Sequence, residues 1–338
     1  MDIKNGTATF VMPHWLNGDE QSRKYLDEAI KSLFEQTDSN WQLVIVDDLS
    51  PSEQAKDYLK QLSEKHPDKI HVIFKETNDG PGYCRNIGID WAHEHDSPFV
   101  LYNDADDDSD PKRVETARKI FMEDPEASVI YSTIKIIDEN SELVPEEKLT
   151  PSIVEIIESH KHNPPQGLNA WIEIGTDKGY TNLTSATAVR TEIAKAYPFP
   201  PEKVSEDSHT WMRYSAGGGK FVYTPETPTL YRIPQDTAGS ASRSREGGKH
   251  GFYVTKARVD TDGFQEAVRL ALENGKLDPA DKDTVLIGFY VKLGETMAKE
   301  QEMDIASEQI TCAIKLSQEK TQQALAKRGL QDADWASI

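Results

Sequence analysis

The fold of this chain is decided by the ten residues FVLYNDADDD at positions 99–108. Four apolar residues predict a short buried strand, and a run of carboxylates follows it directly. Asp104 and Asp106 are two residues apart, so their side chains can leave an extended strand end on the same side. Like charges this close repel, and their pKa values rise unless a cation neutralises them. Mg²⁺ or Mn²⁺, which prefer oxygen ligands, would do so and could also hold a diphosphate group.

Two other interpretations of the acidic run stay open at this point. Asp-rich stretches are often solvated turns. Counting from Asp104, carboxylates also fall at positions 1, 3, 5 and 7, with Glu115 at position 12, as in an EF-hand calcium loop. Ser109, however, stands where that loop needs glycine, and a strand-like segment rather than a helix precedes the run. The context therefore favours a site for a metal and a nucleotide diphosphate.

The composition narrows the possible functions. The chain has 338 residues and a net charge of −20, and so acidic a protein is a poor candidate for general nucleic-acid binding, which relies on basic side chains. Its two cysteines, Cys84 and Cys312, are not a disulfide framework, which favours a reducing compartment. The polar N-terminus lacks a signal-peptide core, and no segment reaches the roughly 18 to 20 apolar residues of a membrane helix. We therefore expect a cytoplasmic protein without a membrane span.

Strand-like and helix-like segments alternate through the first hundred residues. The apolar patterns predict strands at 7–12, 41–46, 70–74 and 99–102, the first closed by Pro13, with helices at 25–34, 52–66 and 83–95 between them. This alternation is typical of a doubly wound parallel sheet, in which ligands bind beyond the carboxyl ends of the strands. The loops at 14–20, 47–50 and 104–110 lie at those ends, so we expect them to share one rim.

The remainder of the chain is expected to be more varied. A helix should run from Pro111 to about Glu123, and a strand should follow at 128–137. The polar, proline-containing segment 142–166 could be mobile, and two short strands are predicted at 221–223 and 229–232. The composition of 235–250, rich in Gly, Ser and Arg, indicates a flexible loop. Helices are predicted at 264–274, 281–298 and 304–328.

Three further clusters could carry chemistry. The pair Asp47–Asp48 could accept hydrogen bonds from a base or a ribose, or could simply be turn residues. Arg85 lies at a predicted helix start, where a cation interacts slightly unfavourably with the helix dipole. An arginine at this position makes more sense if a phosphate also binds there. Ser205 is a suitable helix cap, and since Glu206 and Asp207 point to different faces, one of them is left over as a possible general base.

Taken in order, these segments resemble family 2 glycosyltransferases with the GT-A fold over about residues 7–235. The matching segments are FVMPHWLN at 10–17, VIVDDLS at 44–50, NDGPGYCRNIGI at 78–89, Asp104–Asp107 with Pro111, Glu206–Asp207 with Trp211 and Arg213, and Tyr231–Arg232. Two departures stand out. Leu49 replaces the usual glycine, which should stiffen its turn, and Cys84 replaces the usual alanine as a small buried residue rather than a nucleophile.

The resemblance implies a GT-A (Rossmann-like), mostly parallel sheet flanked by helices, with a transferase domain at 1–235 and a flexible loop and C-terminal helical extension at 236–338. It implies metal-dependent, inverting transfer of a sugar from a nucleotide-diphosphate sugar, expected to be UDP-linked, to a hydroxyl of a saccharide or other acceptor. Mn²⁺ or Mg²⁺ would be the cofactor, and the C-terminal helices could support an oligomer. Asp207 would be the catalytic base, and Asp104, Asp106 and His250 would hold the metal. The donor would contact Pro13, His14, Asn17, Asp47, Asp48, Arg85, Asp104, Ala105, Glu206 and Arg232.

Two other functions are weighed against sugar transfer. A nucleotidyltransferase acting on a sugar phosphate would also use acidic metal ligands on an α/β sheet, but Pro13-His14-Trp15 stands where such enzymes commonly carry a Gly-rich loop. A non-catalytic calcium- or sugar-binding protein is the other. We also expect the loop 235–250, with Arg232 beside it and Arg243, Arg245, Lys249 and His250 within it, to close over the donor and exclude water.

Overall fold

A computed structural model describes residues 1–179, 181–235 and 248–336. These residues form two compact units. Unit one comprises Met1–Pro164, Asn182–Lys203 and the described part of Gly219–Ala238. Unit two comprises the described parts of Pro165–Thr181, Val204–Gly218 and Gly239–Ile338. Two segments before residue 235 thus belong with the C-terminal helices, while the boundary at 235/236 stays a prediction.

Unit one is built on a seven-stranded sheet, whose strands are β1 (Ala8–His14), β2 (Trp41–Asp47), β3 (Ile70–Phe74), β4 (Phe99–Tyr102), β5 (Ala127–Ile137), β6 (Thr187–Arg190) and β7 (Lys220–Arg232). Their order in the sheet is β3-β2-β1-β4-β6-β5-β7. Among these described strands only β6 pairs antiparallel, with β4 on one side and β5 on the other, so the predicted mostly parallel sheet is confirmed.

The helices of unit one cover both faces of this sheet. Alternate strand residues point to opposite faces, so Leu43 and Ile45 of β2 face one layer while Val44 and Val46 face the other. The first layer is formed by α1 (Glu20–Phe34), α2 (Glu53–Lys65) and α4 (Arg113–Glu123), and the second includes α3 (Pro81–Glu94). The other helices of this unit are α5 (Pro151–His162) and α7 (Thr191–Ala196).

Two predicted boundaries in unit one are wrong. Pro13 does not close β1, which pairs with β2 through His14. The pairing of β1 with β4 ends at Val11, so the amide proton that Pro13 lacks would have had no partner on the β4 side. The two predicted short strands are one continuous strand, β7. The segment 142–166 contains helix α5, and its mobility stays a prediction.

Unit two is helical. Its members are α6 (Ala170–Glu173), α8 (Glu206–Gly217), α9 (Lys249–Glu273), α10 (Lys282–Lys299), α11 (Met303–Leu316) and α12 (Gln318–Lys327). Phe264 packs in its core against Trp171 and stacks on Phe289, with ring centroids 5.5 and 4.3 Å away. The predicted helix 304–328 is two helices, because Ser317 is extended and its side chain caps α12.

The loop predicted at 235–250 is described only at its ends. Arg243 and Arg245 lie outside the described residues. Lys249 and His250 belong to the first turn of α9, which is far longer than the helix predicted at 264–274. Within the described ranges, every helix is too short or too polar to cross a membrane.

Candidate active site

The carboxyl end of β2 carries Asp47, whose carboxylate is fully buried. It receives hydrogen bonds from the His14 ring Nδ1 (2.8 Å), the Ser50 hydroxyl (2.5 Å) and the Ser50 amide (3.0 Å). Burial acts to raise the pKa of Asp47, but the hydrogen bonds from His14 and Ser50 outweigh it, so the pKa is lowered. Asp47 is therefore a charged anchor that joins the loops after β1 and β2.

The neighbouring Asp48 anchors a third segment. Its Oδ1 accepts from the Lys75 ammonium (2.5 Å) and the Asp79 amide (3.0 Å), and its Oδ2 accepts from the Gly80 amide (2.8 Å). Gly80 precedes α3 with φ +92°, a conformation that side chains other than glycine rarely adopt. The pair Asp47–Asp48 thus holds the segments after β1, β2 and β3 together at one edge of the sheet. The loops at 14–20 and 47–50 are two of the three predicted to share a rim, and the third, 104–110, follows β4, which runs parallel to β1. Contact of either carboxylate with a donor stays a prediction.

Two apolar side chains lie exposed on this rim. The His14 carbonyl accepts from the Asp48 amide (2.8 Å), and the Leu16 amide donates to the Ser50 hydroxyl (2.9 Å). These bonds bring the backbones of Trp15 and Leu49 side by side, with the residues 48% and 41% exposed. Leu49 has φ +58°, which explains why glycine would be the easier residue there. Trp15 was not among the predicted site residues.

The acidic turn after β4 contains carboxylates in three different environments. Asp104 Oδ1 accepts from Arg85 Nη2 at 2.7 Å. Asp107 is buried, with Oδ1 bound to the Arg232 amide (2.8 Å) and Oδ2 without a hydrogen-bond partner among the described residues. Asp106 remains open to solvent, and no described lysine, arginine or histidine lies within ion-pair distance of its carboxylate. The surrounding protein and the Asp104 charge raise the pKa of Asp106 to about 6.

This crowding extends to Asp107, whose pKa is raised well above the ordinary value by burial and by the charges of Asp106 and Asp104. Closely spaced carboxylates with raised pKa values bind protons readily and would bind a hard divalent cation in their place. The residues present therefore fit Mn²⁺ or Mg²⁺, with Asp106 as a carboxylate that forms no ion pair with a described cationic side chain.

Buried polar side chains set the shape of the turn. The Asn103 amide donates to the carbonyls of Asp104 (3.0 Å) and Asp107 (2.9 Å). The Asn103 oxygen accepts from Ser109 Oγ (2.8 Å) and Arg113 Nη1 (3.1 Å). Arg113 also donates to the Tyr102 and Thr187 carbonyls, and burial lowers its pKa to about 9. Neither Asn103 nor Arg113 was predicted; the one available signal was a cation shortly after the turn.

Arg232 supports the same turn from β7. Its guanidinium is buried and donates to the carbonyls of Asp106 (2.8 Å) and Asp138 (2.9 Å), to Ser141 Oγ (3.0 Å) and to Glu28 Oε2 (2.9 Å). These bonds use each of its nitrogens for support, so direct contact with a donor would require some of them to open. That contact stays a prediction.

The remaining predicted donor residues of unit one differ in exposure. Arg85 is buried, and its guanidinium lies 5.4 Å from the Phe199 ring centre. Pro13 is half-buried in β1, and Ala105 packs against the core cluster beneath the sheet. Asn17 is exposed, and its Oδ1 accepts from the Asp19 amide at 3.2 Å. Cys84 is buried, as predicted, and burial raises its pKa to about 12. That it is no nucleophile stays a prediction.

Unit two carries the other three predicted residues. Glu206 and Asp207 form the first turn of α8, with Glu206 buried and Asp207 half-buried. Ser205 precedes them but makes no side-chain capping bond, so its predicted role as a cap is wrong. His250 Nδ1 lies 2.7 Å from Glu302 Oε2, and its Nε2 lies 3.9 Å from Asp304 Oδ2. The hydrogen bond to Glu302 raises the pKa of His250. Its role as a metal ligand stays a prediction.

Comparison with known proteins places this arrangement in a family. The profile described as "Glycosyl transferase family 2" matches residues 11–182, which include the end of β1, strands β2 to β5 and the acidic turn. The chain belongs to glycosyl transferase family 2. Membership decides among the functions weighed above, in favour of a glycosyltransferase and against a nucleotidyltransferase or a non-catalytic binding protein.

Individual relatives of this family 2 glycosyltransferase agree. An uncharacterized glycosyltransferase of Methanocaldococcus jannaschii is 26% identical over 237 residues, which are 70% of this chain and 75% of the archaeal protein. The crystal structure of S. aureus TarS 1–349 in complex with UDP-GlcNAc matches 96% of this chain and 92% of that one, with TM-score 0.58 and 17% identity. The mannosyltransferase PcManGT from Pyrobaculum calidifontis, in complex with GDP-Man and Mn²⁺, matches 97% and 81%, with TM-score 0.54 and 17% identity. These structures show that the fold is GT-A.

Proposed function

We propose that this transferase moves a sugar from a nucleoside-diphosphate sugar to an acceptor hydroxyl, with a divalent metal at the acidic turn and with inversion at the anomeric carbon. The observation that carries the proposal is the Asp106 carboxylate, which lies beside Asp104 with its pKa raised to about 6 and with no described cationic side chain within ion-pair distance. The carboxylates of this turn would repel a diphosphate group, since both carry negative charge, and a cation between them would remove that repulsion.

Asp104 and Asp106 would hold Mn²⁺ or Mg²⁺. When bound, the metal would neutralise charge on the diphosphate as it leaves the sugar. The similarity to structures whose titles name UDP-GlcNAc, or GDP-Man with Mn²⁺, supports a nucleotide-sugar donor and a divalent cofactor. We favour a uridine nucleotide, in keeping with the family resemblance of VIVDDLS at 44–50.

The rim of unit one would bind the nucleotide. Asp47 and Asp48 hold the three loops in place, and the exposed ring of Trp15 and side chain of Leu49 offer an apolar surface beside them. Arg85 would contribute positive charge near the base or diphosphate while keeping Asp104 oriented. These residues bind and orient the donor but take no proton.

Asp207 would be the general base. A single displacement with inversion requires a group that takes the proton of the acceptor hydroxyl as it attacks the anomeric carbon. Asp207 retains partial exposure at the start of α8, whereas Glu206 is buried. We therefore propose that Asp207 accepts the proton of the acceptor hydroxyl and that Glu206 contacts the donor.

The test is release of nucleoside diphosphate from a panel of UDP-sugars and GDP-mannose, each with Mn²⁺, with Mg²⁺ and with EDTA. We expect release with at least one UDP-sugar and its loss in EDTA, and NMR of the Mg²⁺ reaction should show an inverted anomer in the product. Equal release in EDTA would contradict the metal site. A retained anomer would contradict the single displacement, and release from GDP-mannose alone would contradict the uridine assignment.

A further inference from the structure

The residue before the predicted base has an unusual backbone conformation. Ser205 has φ +59° and ψ +19°, in the left-handed region, and α8 begins at the next residue. Its carbonyl already accepts the first helical bond, from the His209 amide at 3.1 Å. The left-handed conformation is unfavourable for a residue other than glycine, so other contacts must hold Ser205 in it.

The side chain of Ser205 supplies that restraint. Its hydroxyl donates to Asp260 Oδ1 (2.5 Å) and accepts from Lys256 Nζ (3.1 Å), and Lys256 Nζ also donates to Asp260 Oδ2 (2.7 Å). The three groups form a closed ring of hydrogen bonds. The Lys256 and Asp260 side chains are 19% and 9% exposed, so this ion pair is largely shielded from solvent. A hydrogen bond to a charged group is stronger than one between neutral groups, and burial strengthens it further.

Helix α9, which carries Lys256 and Asp260, also packs closely on α8. A Cβ atom at Gly263 would lie 2.7 Å from the Cα of His209, closer than real contacts, so only glycine fits there. The two helices are thus held together by backbone packing at one point and by the Ser205 ring at another. Two contacts of this kind fix both the position of α8 and the direction in which its first turn begins.

We infer that Ser205, Lys256 and Asp260 form a clamp that positions the Glu206–Asp207 turn for catalysis. This inference rests on the proposed role of Asp207 as the base. It gives α9, which lies beyond residues 11–182, a part in the reaction: its side chains hold the residue from which the base is presented. The three are positioning residues, since none takes the proton. Glycine would adopt the same backbone angle without strain, but it could not make the ring.

The experiment compares Asp260→Ala with Asp262→Ala on the same helix. Asp262 pairs with Arg258 four residues before it, as Asp260 does with Lys256, but that pair is exposed and does not touch Ser205. With UDP-GlcNAc, Mn²⁺ and water as the probe reaction, or another UDP-sugar if the panel selects one, we expect Asp260→Ala to lower kcat about 10- to 100-fold at nearly unchanged donor KM. Asp262→Ala should match the wild type. Asp260→Asn, which can still accept from Ser205, should restore much of the loss.

Two further variants separate the possible outcomes. Ser205→Gly keeps the backbone angle accessible and should also lower kcat, which covers the case in which Asp260→Ala fails to fold. In an Asp207→Asn background, Asp260→Ala should cause no further loss, since a misplaced base matters only while the base is present. Wild-type kcat in folded Asp260→Ala and Ser205→Gly, with Asp207→Asn impaired, would overturn the clamp and leave the proposed function standing. Wild-type kcat in Asp207→Asn would overturn the base assignment and the clamp with it.

Discussion

Replacing Asp106 by asparagine should stabilise the ligand-free protein and abolish its metal-dependent binding of nucleotide. The two effects have one cause, the crowding of carboxylates at the end of β4. In the absence of a cation the charge of Asp106 is unfavourable, because the surrounding protein and Asp104 oppose its ionisation. With a divalent cation the same charge becomes a ligand. Asparagine keeps the shape of the side chain and removes the charge.

The magnitude follows from the pKa. A rise from 3.8 to about 6 corresponds to about 3 kcal/mol, which solvent screening at this exposed side chain reduces to about 1 kcal/mol. A raised carboxyl pKa penalises the folded state above pH 6, and the penalty disappears as the pH falls through 6 towards 4. In a chain of 338 residues, 1 kcal/mol corresponds to a Tm about 1–2 °C higher at pH 7.5, with no difference from the wild type near pH 4.

Thermal unfolding measures both effects. Mn²⁺ with UDP at about 100 times its dissociation constant should stabilise the wild type by about 2.7 kcal/mol, or about 4 °C. Asp106→Asn should show no such shift, and calorimetry should show no heat of UDP binding in Mn²⁺. Asp110→Asn, four residues further along the same acidic run, is the matched control and should behave as the wild type. A Mn²⁺-dependent shift retained by Asp106→Asn would refute the assignment of the metal to this turn.

Three other predictions follow from the same geometry. Asp207→Asn should keep donor affinity near normal and lower turnover about 10²- to 10⁴-fold; unchanged turnover in a steady-state assay would leave the base unassigned. Leu49→Gly should stabilise the protein by about 1 kcal/mol in urea unfolding, because Leu49 has φ +58° and is 41% exposed; destabilisation would show that its side chain supports the turn. Arg113→Lys should cost about 2 kcal/mol or more in the same assay, since lysine cannot reproduce the four hydrogen bonds of the buried guanidinium, and a loss below 0.5 kcal/mol would contradict that reasoning.

The strands and their order of alternation could be predicted because local pattern determines them. The segments 70–74 and 99–102 are strands with the predicted bounds, and Ser52 caps α2 through the Ala55 amide. The rim was predictable for the same reason, since the carboxyl ends of adjacent parallel strands meet at one edge of a sheet. The predicted end of β1 at Pro13 was wrong because proline interrupts a strand only where the amide proton that it lacks would have bonded to a neighbouring strand.

The supports of the site could not be predicted, because they come from residues distant in sequence. Arg232 reaches the Asp106 carbonyl across 126 positions, and Asp260 reaches Ser205 across 55. Ser205 has the residue type and position of a helix cap, and only the position of α9 turns its hydroxyl away from the amides of α8. Lys75, which binds Asp48, likewise carries no sign in the sequence of being buried.

The positions of Arg85, Arg113 and Arg232 explain how an acidic chain can keep several carboxylates in one turn. Arg85 pairs with Asp104, the Arg232 amide binds Asp107, and Arg113 holds the backbone around Asn103. Each of these groups fixes the geometry of the turn, yet within the described ranges none forms an ion pair with Asp106. A lysine or arginine placed against Asp106 would lower its pKa and stabilise the ligand-free turn, but it would compete directly with a divalent cation. The arrangement thus leaves the Asp106 carboxylate without an ion-pair partner among the described residues, which is why we place the metal beside it, at Asp104 and Asp106.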